Sequence, residues 1–110
     1  MTETEFLDLA EAVLDRIEVA IEEAGEVADV DVECSRSGNV LEIEFVDTDS
    51  KIIVNTQAPM KEIWVAARAG GFHYRLVDGQ WRDTRDGSEL YAALSRLASA
   101  QGGAPLTLQA

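Results

Sequence analysis

The sequence predicts an α+β fold, a two-layer α/β sandwich with N- and C-terminal helices on one face of a five- to six-stranded antiparallel sheet. Three observations lead there. An apolar face with helical spacing opens the chain, a run of short segments with period two fills the middle, and a second helical face follows near the end. The middle segments are joined by connections too short for crossover helices, which makes their pairing antiparallel. The 110 residues fit one domain, 1–110.

The first helix is read from Phe6, Leu9, Ala10, Val13, Ile17, Ala20, Ile21 and Ala24, which recur at steps of three and four. Thr2 and Glu5 have capping-box spacing, and Gly25 stands where a helix commonly stops, so the spacing predicts a helix from about residue 3 to about residue 24. The period then changes. Val30, Val32 and Cys34 alternate with Asp31, Glu33 and Ser35, and after a Ser37-Gly38-Asn39 turn Leu41, Ile43 and Phe45 alternate with Glu42 and Glu44. A third strand is expected over Lys51–Thr56 and a fourth over Glu62–Ala67, beyond the break at Pro59. Gly70-Gly71 is expected to turn the chain into Phe72–Val77, and Asp78-Gly79 into a short strand at Gln80–Asp83. Asp86 and Glu89 have capping spacing before the Leu90, Leu94, Leu97 and Ala98 face of a second helix ending at Gly102-Gly103. The tail carries Leu106 and Leu108, which are expected to pack back on the helices.

Charge is divided unevenly between the two halves of the chain. Residues 1–50 hold sixteen Asp and Glu against Arg16 and Arg36, a balance of −14, while residues 51–110 hold five against seven Lys and Arg, a balance of +2. That distribution argues against nucleic acid, whose binders need a basic patch, and toward cations or a basic protein surface. The acidic start is unlike a secretory signal and no apolar run reaches membrane-spanning length, so a cytoplasmic protein without a membrane partner is expected. Cys34 is the sole cysteine, which rules out an internal disulfide and points to a structural thiol.

On the first helix Asp8, Glu11, Asp15, Glu18, Glu22 and Glu26 form one stripe of about 27 Å opposite the apolar face, with Glu23 to one side and only Arg16 relieving the charge. A helix tuned for stability mixes signs, since like charges four residues apart cost what opposite ones gain, roughly 0.2–0.5 kcal/mol a pair. Glu22, Glu23 and Glu26 also crowd the negative end of the helix dipole. Asp29, Asp31 and Glu33 extend the cluster along the first strand. Such hard oxygen ligands suit Mg2+, Ca2+, Mn2+, Fe2+ and Fe3+, bound weakly at several exposed sites. The residues by themselves leave open a cation-binding protein and a plain acidic interaction module; with iron as the cation, oxidation or storage of iron at the same carboxylates is the alternative to a regulatory role. No nucleophile with its base, no phosphate loop and no paired acids are present, so an enzyme is not expected. His73, the only histidine, is expected to be structural or solvent-facing.

A second surface is read from alternation. If Ile52 and Val54 face the core, Ile53, Asn55 and Gln57 face the open side and Trp64 can join them, although a buried Trp64 fits the pattern equally. Here the chain resembles the frataxin family, through the acidic helix, Asn55-x-Gln57-x-Pro59-x-x-x-Ile63-Trp64, Gly70-Gly71-Phe72-His73-Tyr74 and the Trp81 strand, in order along nearly its whole length. The resemblance implies the same sandwich. It also implies weak binding of Fe2+ or Fe3+ and a regulatory role in iron-sulfur cluster assembly, by contact with a cysteine desulfurase and a scaffold protein. Glu18, Glu22, Glu23, Asp29, Asp31 and Glu33 fall on the family's acidic cluster, with Glu26 in a less regular connection. Asp8, Glu11, Asp15, Glu18 and Glu22 would meet a basic partner, and Asn55, Gln57 and Trp64 match the outer-sheet contact positions. The metal-free chain is expected to be a monomer.

Overall fold

A computed structural model describes all residues, Met1–Ala110. Helix α1 spans Glu3–Ala28 and is followed by β1 (Val32–Ser37), β2 (Val40–Phe45), β3 (Ser50–Gln57), β4 (Glu62–Ala67), β5 (Gly70–Val77), β6 (Gln80–Asp83) and α2 (Leu90–Gly102), with one turn of 3-10 helix at Ala58–Met60. The six strands pair antiparallel in chain order, β1-β2-β3-β4-β5-β6, as short connections require. Helix α1 lies over β1–β3 and α2 over β3 and β6, which gives the two-layer sandwich that the patterning predicts. Between the layers sit Phe6, Ile17 and Ile21 of α1, Leu41, Ile43, Ile52, Val54, Ile63, Val65 and Tyr74 of the sheet, and Leu90 and Leu94 of α2. Trp81 meets Phe6 edge to face, with ring centroids 5.9 Å apart.

The N-terminus of α1 is closed as expected, since the Thr2 hydroxyl accepts from the Glu5 amide and the Glu5 carboxylate accepts from the Thr2 amide. Its C-terminus is not where Gly25 suggested. The helix runs on to Ala28, and Asp29 adopts the left-handed conformation at φ 56, ψ 44. The amide of Val30 donates to the Gly25 carbonyl at 2.9 Å and that of Asp29 to Glu26, the pairing of a Schellman ending. Gly25 is there for proximity, because a Cβ would stand 3.0 Å from the Val30 carbonyl oxygen and 3.1 Å from Val32 Cγ2. Glu26, expected in a less regular connection, is therefore in the last helical turn. Leu9, read as core, is 46% exposed, and Leu14 is buried in its stead. Leu9 lies at the edge of a 100° apolar sector, where spacing by three and four cannot separate flank from centre.

Three smaller expectations are corrected. The first strand begins at Val32, two residues late, because Val30 still belongs to the helix ending. Gly70 and Gly71 are strand residues of β5, and Arg68-Ala69 make the turn before them. Glu89 itself caps α2 by accepting from Tyr91 and Ala92, whereas the Asp86 carboxylate accepts from Ser88 within its own turn. Leu106 and Leu108 do pack back and are buried. Their amides donate to Ser99 and Ser95 of α2 at 2.8 and 2.9 Å, and Arg16 of α1 donates to the Gln109 carbonyl. The backbone at Gly102 makes room for this tail, since a Cβ would meet Leu106 Cδ1 at 2.8 Å.

Candidate functional site

Antiparallel pairing brings the end of β2 beside the start of β1, with Phe45 opposite Val32 and the Val46 amide donating to the Asp31 carbonyl. The end of α1 arrives at the same corner. An open groove of about 560 Å³ results, and Glu22, Glu26, Asp29, Asp31 and Asp47 line it with Gly25, Val30 and Val32. Five carboxylates thus face one space, and no basic side chain lines it. No three of them converge closely enough to make a chelating cluster. The arrangement suits hydrated cations held at several places by hard oxygens rather than one ion in a fixed coordination sphere.

The remaining acidic residues are placed as follows. Glu18 and Glu22 stand beside Cys34, for burial and then these two carboxylates push its thiol up to about 12. A half-buried thiol kept protonated is a poor nucleophile and a poor metal ligand, in keeping with a structural cysteine. Glu23 lies on the other flank of α1, 4.0 Å from Arg16, and lines a separate groove with Pro105, Thr107 and Gln109. Glu33 faces away from the helices, opposite Glu44 on β2. The structure therefore separates Glu23 and Glu33 from the groove. Asp8, Glu11 and Asp15 are exposed along α1, and Asp15 pairs with Arg36 at 2.7 Å. Arg16 is thus not the sole counter-charge. Asp47 as a groove residue and Arg36 as the partner of Asp15 escaped the sequence reading because both are brought in by hairpin register; counting outward from the Ser37-Gly38-Asn39 turn would have found Asp47.

The outer sheet face forms as alternation predicts. Ile52 and Val54 are fully buried, and Asn55 pairs across to Trp64, which pairs across to His73. Gln57 donates to the Asn55 side chain at 2.6 Å. Trp64 is half-buried, neither of the two extremes left open. Its indole stacks on His73 with centroids 4.2 Å apart and planes within 6°, and its Nε1–H donates to Glu62 at 2.8 Å. Glu62 also accepts from Arg75 Nε at 2.6 Å and lies 3.5 Å from His73 Nδ1. Burial would raise the Glu62 carboxyl, but the hydrogen bonds from Trp64 and Arg75, with the charges of Arg75 and His73, outweigh it and hold the group below its usual range. Sequence parity places Glu62 beside Trp64, yet nothing in the sequence shows it buried.

The frataxin-like domain family matches residues 1–104. This chain belongs to the frataxin family. Among curated proteins, it is 62% identical over 109 residues to the iron-sulfur cluster assembly protein CyaY of Janthinobacterium sp. (strain Marseille), covering 99% of this chain and 97% of that one. It is 60% identical, at the same coverage, to the CyaY of Herminiimonas arsenicoxydans. Among solved structures, the frataxin of Psychromonas ingrahamii superposes with a TM-score of 0.84 at 34% identity and complete coverage of both chains. The trimeric frataxin of Saccharomyces cerevisiae, complexed with ferrous iron, superposes with a TM-score of 0.72 at 26% identity, covering 86% of this chain and 85% of that one. The frataxin sandwich expected from the resemblance is the observed fold, and this frataxin has no helix long and apolar enough to cross a membrane.

Proposed function

We propose that this frataxin is a cytoplasmic, non-enzymatic iron-binding protein of iron-sulfur cluster assembly. It binds Fe2+ or Fe3+ weakly, with other divalent cations as competitors, and regulates a cysteine desulfurase and its scaffold protein. The observation that carries the reading is the groove in which Glu22, Glu26, Asp29, Asp31 and Asp47 come together without a cation of the protein's own. Glu18 adjoins them, and Glu23 and Glu33 contribute to the field at longer range. The names of the CyaY relatives and the ferrous iron of the yeast structure support both the metal and the process. The absence of a converged ligand set favours binding over iron oxidation, which needs ligands held in fixed geometry.

The exposed carboxylates of Asp8, Glu11, Asp15 and Glu22, with the partly exposed Glu18, form the surface offered to a basic patch of the desulfurase. Asn55, Gln57 and Trp64 form the surface offered to the scaffold protein, and the metal-free chain acts as a monomer. Anaerobic titration of Fe2+ followed by amide NMR tests the metal assignment. Broadening confined to residues 22–33 and 47 is expected, and uniform or absent broadening would overturn it. Desulfurase binding is expected to weaken as salt rises; capture that is absent at low salt, or insensitive to salt, rejects the partner assignment.

A further inference from the structure

We infer that Glu62 is a positioning residue, whose buried carboxylate sets Trp64, His73 and Arg75 into one preformed contact platform on the outer sheet face. Glu62 shares that face with Trp64, two residues on in β4, and an acid there would ordinarily be solvated. It is only 2% exposed, because Trp64, His73 and Arg75 cover it. Its oxygens are divided between them, Oε1 toward the indole N–H and His73, Oε2 toward Arg75. A buried carboxylate stays charged only where such partners compensate its lost hydration. Stability alone is a weak reason for a charge at this position, since a buried ion pair is often no better for stability than an apolar side chain of like size. What the clamp does supply is order. An unclamped, half-exposed indole would sample rotamers, and fixing it on binding would cost affinity.

The platform offers a stacked aromatic pair, the joined amides of Asn55 and Gln57, and a guanidinium whose side chain is 58% exposed. It fits a protein segment that lays an apolar or planar side chain on the rings and presents a carboxylate or backbone carbonyl to Arg75. This role rests on the reading of that face as the scaffold contact.

The test compares the full chain with its Glu62→Gln, Glu62→Ala and Trp64→Ala variants by indole N–H exchange in NMR and by affinity for the scaffold protein, far-UV circular dichroism confirming the fold. In Glu62→Ala the Trp64 indole N–H is expected to exchange at least about tenfold faster and scaffold affinity to fall about tenfold, the scale of one charge-assisted hydrogen bond. Glu62→Gln, which keeps an acceptor, restores indole protection. Unchanged exchange in Glu62→Ala overturns the positioning role, as does a freed indole with unaltered affinity where Trp64→Ala weakens binding. If Trp64→Ala itself leaves affinity intact, the scaffold reading fails, and indole exchange alone decides whether Glu62 positions the ring.

Discussion

Asp29 concentrates the conflict between stability and charge in this chain. It closes α1 from the left-handed region, where an L side chain is strained, and places a carboxylate at the negative end of the helix dipole. Glycine would satisfy the same Schellman hydrogen bonds without either cost. Asp29→Gly is expected to stabilise the fold by about 1 kcal/mol in urea denaturation while weakening Fe2+ binding. A variant that is less stable, or that binds Fe2+ unchanged, would show that the carboxylate serves the cap rather than the groove. Glu62 makes the opposite demand. Its folded carboxyl is held below the ordinary value of 4.5, so its contribution to stability is complete above that value and is lost as pH falls through the folded one. The stability gap between the natural chain and Glu62→Gln is expected to narrow as the pH falls below the ordinary carboxylate value of 4.5. Urea midpoints of the two proteins that run parallel across that range would contradict it.

At the scale of the element, α1 is a helix whose inner face stabilises the fold and whose outer face opposes it. Phe6, Ala10, Leu14, Ile17, Ile21 and Ala24 are buried against the sheet, and tertiary burial of this kind outweighs several like-charge repulsions of a few tenths of a kcal/mol each. Charge reversal at Glu18, Glu22 and Asp29 is expected to leave the fold intact or up to roughly 1–2 kcal/mol more stable, and to weaken binding of both Fe2+ and the desulfurase. Thermal melts with parallel binding isotherms check both effects; loss of stability would mean that the ridge is structural. The acidic stripe and the apolar face of this helix were legible in the sequence because both have helical spacing. Its end was not. Gly25 reads as a stop by local statistics, but the approach of Val30 and Val32, fixed by the following strand, keeps glycine inside the helix.

The whole molecule is closed by its tail, which lies between the two helices. Leu106 and Leu108 are buried there, and Ser95, Ser99 and Arg16 hold the backbone. Removing residues 104–110 exposes the apolar surface these two leucines cover and is expected to cost about 3–5 kcal/mol, read as a fall in the urea midpoint. A truncated chain of unchanged stability would show the tail to be merely adherent. Gln101 is a further tie, accepting from the Arg68 amide and donating to the Lys51 carbonyl, and so fixing α2 across β3 and the β4-β5 turn. No periodicity announces such a residue, because its role is set by what a distant strand and a distant turn present to it.

The sequence by itself determined the presence of both helices, the antiparallel strand order and the two candidate faces, since each follows from the period of apolar residues and from short connections that permit only antiparallel neighbours. It also marked the charge asymmetry, which is a property of composition along the chain. The tertiary structure decided which acids share one groove. Asp47 joins Glu22, Glu26, Asp29 and Asp31 because hairpin register carries it to the helix end, while Glu23 and Glu33 are turned to other surfaces by the same geometry. It decided likewise that Glu62 is buried, because His73 and Arg75, which complete its cover beside Trp64, come from the neighbouring strand. Local patterns record which face a residue takes; only the packed chain records what lies opposite it.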